Sequence, residues 1–282
     1  MQRLAVALVL AIFTALGFMS AISNNRAHAL ANRPIRWLLA GAAITAVSEN
    51  AEISHILQDT RPFVMGERYL AHVPPDWKAV PLISLKSFGA IKDALRMDSL
   101  GAEIRGVMYD YEAWRFTSEE EQKNPAGYVK PAAELVHARG LLFLTAPAVN
   151  LVTKMAPAAD RRRLDDTYLS LGIAADAARF ADVFDIQAQR FEYDTDRYAS
   201  FVRRAAMQAR GANPKVLVFA GVSTQPFGPR VTADDIFRAI VATRDIVDGY
   251  WFNIPQPSEY SPHATEFRPD IAIDVLHRLA GL

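Results

Sequence analysis

The sequence predicts an α/β fold, a (β/α)8 TIM barrel forming a single domain behind an N-terminal signal segment, and three observations carry that expectation. Apolar, often β-branched runs recur eight times along the chain, the number of strands that closes such a barrel. Amphipathic stretches bounded by helix start and stop signals separate them, the alternation that gives parallel strands covered by helices. No Gly-x-Gly-x-x-Gly follows any strand and no linker divides the chain, which argues against a nucleotide-binding open sheet.

Taken in order, the chain opens Met1-Gln2-Arg3 and then runs from Leu4 to Ile22 without a charge, a basic start and an apolar stretch that read as an export signal. Ala27-His28-Ala29 supplies a small-x-small cleavage site, so residues 1–29 are the expected signal and 30–282 the barrel. The apolar run is also long enough to span a bilayer, which leaves an uncleaved membrane anchor as the alternative. Either way the expectation is a secreted or extracytoplasmic domain, touching a membrane only if the segment is retained.

The eight expected strands are Trp37 to Ala40, Pro62 to Met65, Val80 to Leu85, Gly106 to Tyr111, Leu141 to Ala146, Val183 to Ala188, Val216 to Gly221 and Gly249 to Ile254. Gly41 to Ile44 and the region around Tyr69 compete for the first two. Ser118-Glu119-Glu120-Glu121 and Thr232-Ala233-Asp234-Asp235 have capping-box spacing. The second starts a stripe from Asp235 to Val247, with Ile236, Phe237, Ile240, Val241 and Ile246 on one side. Ile173 to Phe180 and Tyr198 to Ala209 read as helices too, with Gly140, Gly211 and Asn213-Pro214 as stops. Val73 to Trp77 reads as a loop.

Composition limits the function. The chain has no cysteine, which excludes disulfides and thiolate chemistry. Basic and acidic residues number 31 each, and loss of Arg3 and Arg26 with the signal leaves 29 against 31, a net charge of −2. Such a balance does not favour nucleic acid or anionic lipid as partner. The six histidines, His28, His55, His72, His137, His263 and His277, have no metal-ligand spacing, so neither a metal nor another cofactor is expected. Ser223 in Gly221-Val222-Ser223-Thr224 lacks the second glycine of a nucleophile elbow.

Barrel chemistry sits at the carboxyl ends of the strands. There the fourth strand offers Asp110 and Glu112, two residues apart and therefore on one face. Neighbouring acids raise each other's pKa, which keeps one protonated for general acid work. The plain alternative is a solvated strand end paired with Arg105 or Arg115. Asp185, Gln187 and Gln189 share a face by period two, a polar triplet better suited to a polar ligand than to a packed core. Tyr109, Tyr111, Trp114, Tyr250, Trp251 and Phe252 gather near the mouth. Aromatic faces stack on sugar rings, although alternate strand residues must pack outward. Tyr111, Trp114, Trp251 and Asn253, with Gln187 and Gln189, are the expected substrate contacts. Arg190, Glu192, Tyr193 and Asp194 could add polar ones.

These residues resemble the chitinase-like glycoside hydrolase family 18. Its fourth strand reads D-G-x-D-x-D-x-E, and this chain has Arg105-Gly106-Val107-Met108-Tyr109-Asp110-Tyr111-Glu112, matching the Gly and the last D-x-E. A Ser-bearing third strand, a fifth ending Ala146-Pro147, a Gln-bearing sixth and an eighth with Trp251 follow a similar order. The resemblance implies an oligosaccharide or polysaccharide substrate, with Glu112 protonating the glycosidic oxygen while Asp110 orients an N-acetyl group that attacks the anomeric carbon. That is the substrate-assisted exception to the two-carboxylate scheme. Arg105 and Met108 replace the family's first two acids, Lys86-Ser87 its glycine pair, and Gln187 and Gln189 occupy its Tyr-Asp stretch. A divergent glycosidase is one expectation; a catalytically silent carbohydrate-binding barrel and an anchored scaffold are the others.

Overall fold

The computed structural model describes residues 34–281; the expected signal or anchor lies outside them. Eight strands close into a parallel barrel in sequence order. They are β1 (Arg36–Ala40), β2 (Phe63–Met65), β3 (Val80–Leu85), β4 (Gly106–Tyr109), β5 (Leu142–Thr145), β6 (Val183–Ile186), β7 (Leu217–Ser223) and β8 (Gly249–Asn253). β1 closes the ring on β8 with Leu38 opposite Trp251. Neither competing assignment holds: Ala42–Ser48 is an α-helix and Glu67–His72 a 3-10 helix.

Alternation sorts the strand residues into two cores. Trp37, Leu39, Val64, Val107, Tyr109, Phe143, Phe184, Val218 and Phe252 face outward, into the layer under the helices. Leu38, Phe63, Met65, Leu82, Met108, Leu144, Val183, Phe219 and Trp251 fill the barrel itself. A strand covered on both sides must be apolar on both, which is why these segments read as continuous apolar runs. Gly106 and Gly249 face inward where a Cβ would meet backbone, at 2.9 Å from the Leu142 carbonyl oxygen and 2.5 Å from that of Arg36.

The helices depart from the sequence reading in several places, and the expected box at Ser118 is only half formed, because the Glu121 carboxylate turns to the Phe88 amide at 2.7 Å. Thr232 and Asp235 form a full capping box, but the helix they start spans Ala233–Val241 and not the stretch to Val247. Its continuation fails where the Thr243 hydroxyl bonds back to the Ala239 carbonyl at 2.8 Å and the chain turns, a local competition for backbone groups. Helix Thr195–Ala212 runs through Gly211 and stops at Asn213. Val73 to Trp77 is not a plain loop: Pro75–Trp77 is a 3-10 turn that buries Trp77 completely. The Trp77 indole donates to the Ser54 carbonyl at 3.0 Å.

Candidate active site

Alternation in β4 turns Met108 into the barrel and Tyr109 out of it, so Asp110 points inward just past the strand end. The backbone holds that register on both sides, Asp110 donating to the Leu85 carbonyl at 3.0 Å and Ala146 to the Tyr109 carbonyl at 3.0 Å. Asp110 is only 3% exposed. Lys86, from the inward face of the β3 end, forms an ion pair with its Oδ2 and donates to Ser84 Oγ at 2.7 Å. Gln187 Nε2 donates to Asp110 Oδ1 at 3.0 Å and to the Ala146 carbonyl at 2.8 Å. Both Asp110 oxygens are therefore engaged, and its charge is balanced where it forms.

Glu112 is half-buried beside this pair. Asn150 Nδ2 donates to its Oε2 at 3.2 Å, while Asn150 Oδ1 accepts from the Ala113 amide at 2.9 Å. Burial and then the Asp110 charge push the Glu112 carboxyl up to about 7, with Lys86 and Asn150 pulling the other way. Such a group holds a proton at neutral pH far more often than an ordinary glutamate.

The other expected contacts divide. Trp251 lies inside the barrel, 8% exposed, and its Nε1 has no partner among the described residues. Asn253 follows it on the inward face of β8, opposite Ser223 of β7. Trp114 sits on the loop after β4 and donates through Nε1 to Thr117 Oγ1 at 2.9 Å. Its ring meets those of Phe116 and Tyr260 at 5.1 and 6.4 Å, and Lys86 Nζ stands 5.5 Å from its centroid. Gln189 does not extend the Asp185-Gln187 face, because β6 stops at Ile186 and a 3-10 turn begins at Gln189. It reaches the interior from that turn: its Oε1 lies 2.4 Å from where a Cβ on Gly221 would stand, and has no partner.

Tyr111 is a correction. It is 1% exposed and packs outward, 4.2 Å from the Tyr109 ring between centroids, so it does not face a substrate. The same alternation that brings Asp110 in turns Tyr111 out. Tyr109, Tyr250 and Phe252 also belong to the outer layer, Tyr109 donating to Glu121 Oε2 at 2.5 Å. In the loop after β6, Glu192 is fully buried and accepts from the Ser223 amide at 3.0 Å. Asp194 caps the next helix. Both are structural ties.

Sequence reading missed Lys86 as a partner of Asp110, and Asn150. Lys86 stood out only as a departure from the family pattern; Asn150 comes from the loop after β5, which carries no motif. A cavity of about 330 Å³ opens at this end, lined by Ala40, Met65, Glu67, Ser84, Lys86 and Trp251 among others. Deeper still, Asp185 is fully buried on the inward face of β6, with neither oxygen partnered. Burial, and then Asp110, hold its carboxyl well above the usual range.

The geometry defines an α/β barrel with an acid pair at the strand carboxyl ends. No family model matches the chain, and no curated protein matches it either. Among solved structures it is similar to a protein assigned as an α-L-fucosidase from Bacteroides thetaiotaomicron, at 10% identity and a TM-score of 0.47, over 72% of this chain and 68% of that one. It is similar to the N-terminal domain of a protein assigned as an aldolase from Bacteroides vulgatus, at 11% identity and 0.47, over 88% and 86%. A third is Rhizobium etli pyruvate carboxylase, at 11% and 0.45, over 90% of this chain and 27% of that one. At these scores, and across three different chemistries, the likeness carries no argument about activity.

Proposed function

We propose that the protein is an exported glycoside hydrolase in which Glu112 is the general acid and Asp110 its partner. The observation that supports it best is the unequal treatment of two adjacent carboxyls. Asp110 is held by a lysine and a glutamine, whereas Glu112 is pushed up to about 7, the division of labour that acid catalysis at a sugar needs. Glu112 gives its proton to the glycosidic oxygen as the bond breaks. Asp110, held by Lys86 and Gln187, stands near the anomeric side, where it orients a substrate N-acetyl group or balances positive charge as it develops. Trp114 and Tyr260 offer ring faces at the rim, and Trp251 its indole N–H inside. Family 18 is the family this scheme resembles.

A catalytically silent carbohydrate-binding barrel is the second reading. Its favouring observation is that both Asp110 oxygens are already occupied, with Met108 and Arg105 where two further acids would stand. Glu112→Gln separates the two. As general acid its loss lowers the rate on an unactivated glycoside by about 10²- to 10⁴-fold and spares activated aryl glycosides, whose leaving groups need no proton. A wild type that binds oligosaccharide and cleaves none of an N-acetylated and plain panel would establish the silent barrel.

A further inference from the structure

The opposite end of the barrel has a second cavity, of about 330 Å³, among the strand amino termini. Arg36 reaches it from the start of β1, Arg61 from the turn before β2 and Arg244 from the loop before β8. Among the described residues none of the three guanidiniums has an ion pair or hydrogen bond, and Arg244 Nε is shut off from solvent without an acceptor. The acids that line the cavity are engaged elsewhere. Asp59 pairs with Lys78, and Asp248 pairs with Arg210 at 3.1 Å and accepts from the Val218 amide.

Two further facts point to an external anion. The chain leading into β1 cannot neutralise the cluster, since Glu49 is the first acidic residue of the sequence. Asp59 and Arg61 both hold left-handed backbone, at φ 59° and 53°, a conformation rare outside glycine that fixes the direction from which Arg61 enters. The near-neutral charge of the whole chain hides this local excess. Three like charges around one cavity repel, and an anion relieves them. Arginine forks match tetrahedral oxyanions with paired N–H donors.

We propose that Arg36, Arg61 and Arg244 form a binding site for a phosphate group at the amino end of the barrel, remote from the acid pair. The same chemistry is offered by free phosphate and by a lipid headgroup, and the test has an arm for each. Inorganic phosphate is titrated calorimetrically into the full chain at fixed ionic strength, beside Arg61→Gln and Arg244→Gln. Flotation with phosphatidylglycerol and phosphatidylcholine vesicles runs in parallel. The expected result is saturable phosphate binding that raises Tm and weakens about ten- to hundredfold in each variant, with circular dichroism unchanged. Flotation with phosphatidylglycerol alone, lost in the same variants and reversed by phosphate, assigns the lipid; phosphate binding without flotation assigns a soluble ligand. Phosphate acting no differently from chloride, variants that bind as wild type does, or flotation without phosphate binding would each overturn the site.

Discussion

The layer outside the strands and the space inside them are built to different rules. Outside, three buried tyrosines are paired, Tyr109 with Glu121, Tyr250 with Thr243 and the Ile240 carbonyl, Tyr198 with the Gly221 carbonyl, and Tyr168 is the exception whose hydroxyl has no partner among the described residues. Inside, Asp185, Gln189 and Trp251 keep buried polar atoms without partners. Each such group works against folding by about 1–3 kcal/mol. A barrel of this size gains little stability from polar atoms left alone in its centre, so the contrast teaches that the outer layer carries more of the fold's stability than the polar interior does.

The largest expected effect tests the outer layer. Trp77→Ala removes a fully buried indole and should cost about 3–5 kcal/mol, read as a fall in the urea midpoint. A cost below 1 kcal/mol would move the stabilising weight elsewhere. Inside the barrel the sign reverses. Asp185 has its folded pKa raised by burial, so its contribution is full below the unfolded value near 3.9 and is lost as pH rises toward the folded one. Over that window the wild type loses stability through this group as pH rises. Asp185→Asn escapes the loss, and the gap between the two melting curves should widen in its favour as pH rises above the unfolded value. Parallel curves would mean that Asp185 has found a partner.

Smaller effects sharpen the same contrast. Tyr250→Phe takes one hydroxyl from a satisfied outer network and should cost about 1 kcal/mol by thermal melts, independent of pH. At the mouth, the rate of the proposed hydrolysis should fall on the alkaline side as Glu112 loses its proton through about 7. Because Lys86 lowers that value, Lys86→Gln should shift the alkaline limb of the pH profile upward. A limb that stays in place would separate Lys86 from Glu112.

The strands were legible because burial on both faces makes each a continuous apolar run, and each predicted run overlaps its observed strand. Their ends were less so: β4 stops at Tyr109 and β6 at Ile186, where polar side chains begin to compete with the ladder. Alternation made the inward direction of Asp110 readable, yet aromatic character drew Tyr111 to the mouth against that same rule. The partners of the two acids, Lys86 and Asn150, come from other βα loops, and no spacing within one segment encodes a contact 24 or 38 residues away. The fate of Trp77 was hidden for a similar reason, since two prolines read as a loop say nothing of what that loop covers.

Gly221 on β7 and Gln189 in the preceding βα turn share one volume: the strand leaves a vacancy and the turn fills it. The floor of the mouth is thus partly furnished by a segment that lies outside the sheet. Changing that turn alters the shape and polarity of the interior without touching a strand residue, and a side chain restored at 221 would evict the glutamine. Variation in this one connection gives the scaffold a way to acquire a new ligand preference while its hydrogen-bonded ring stays as it is.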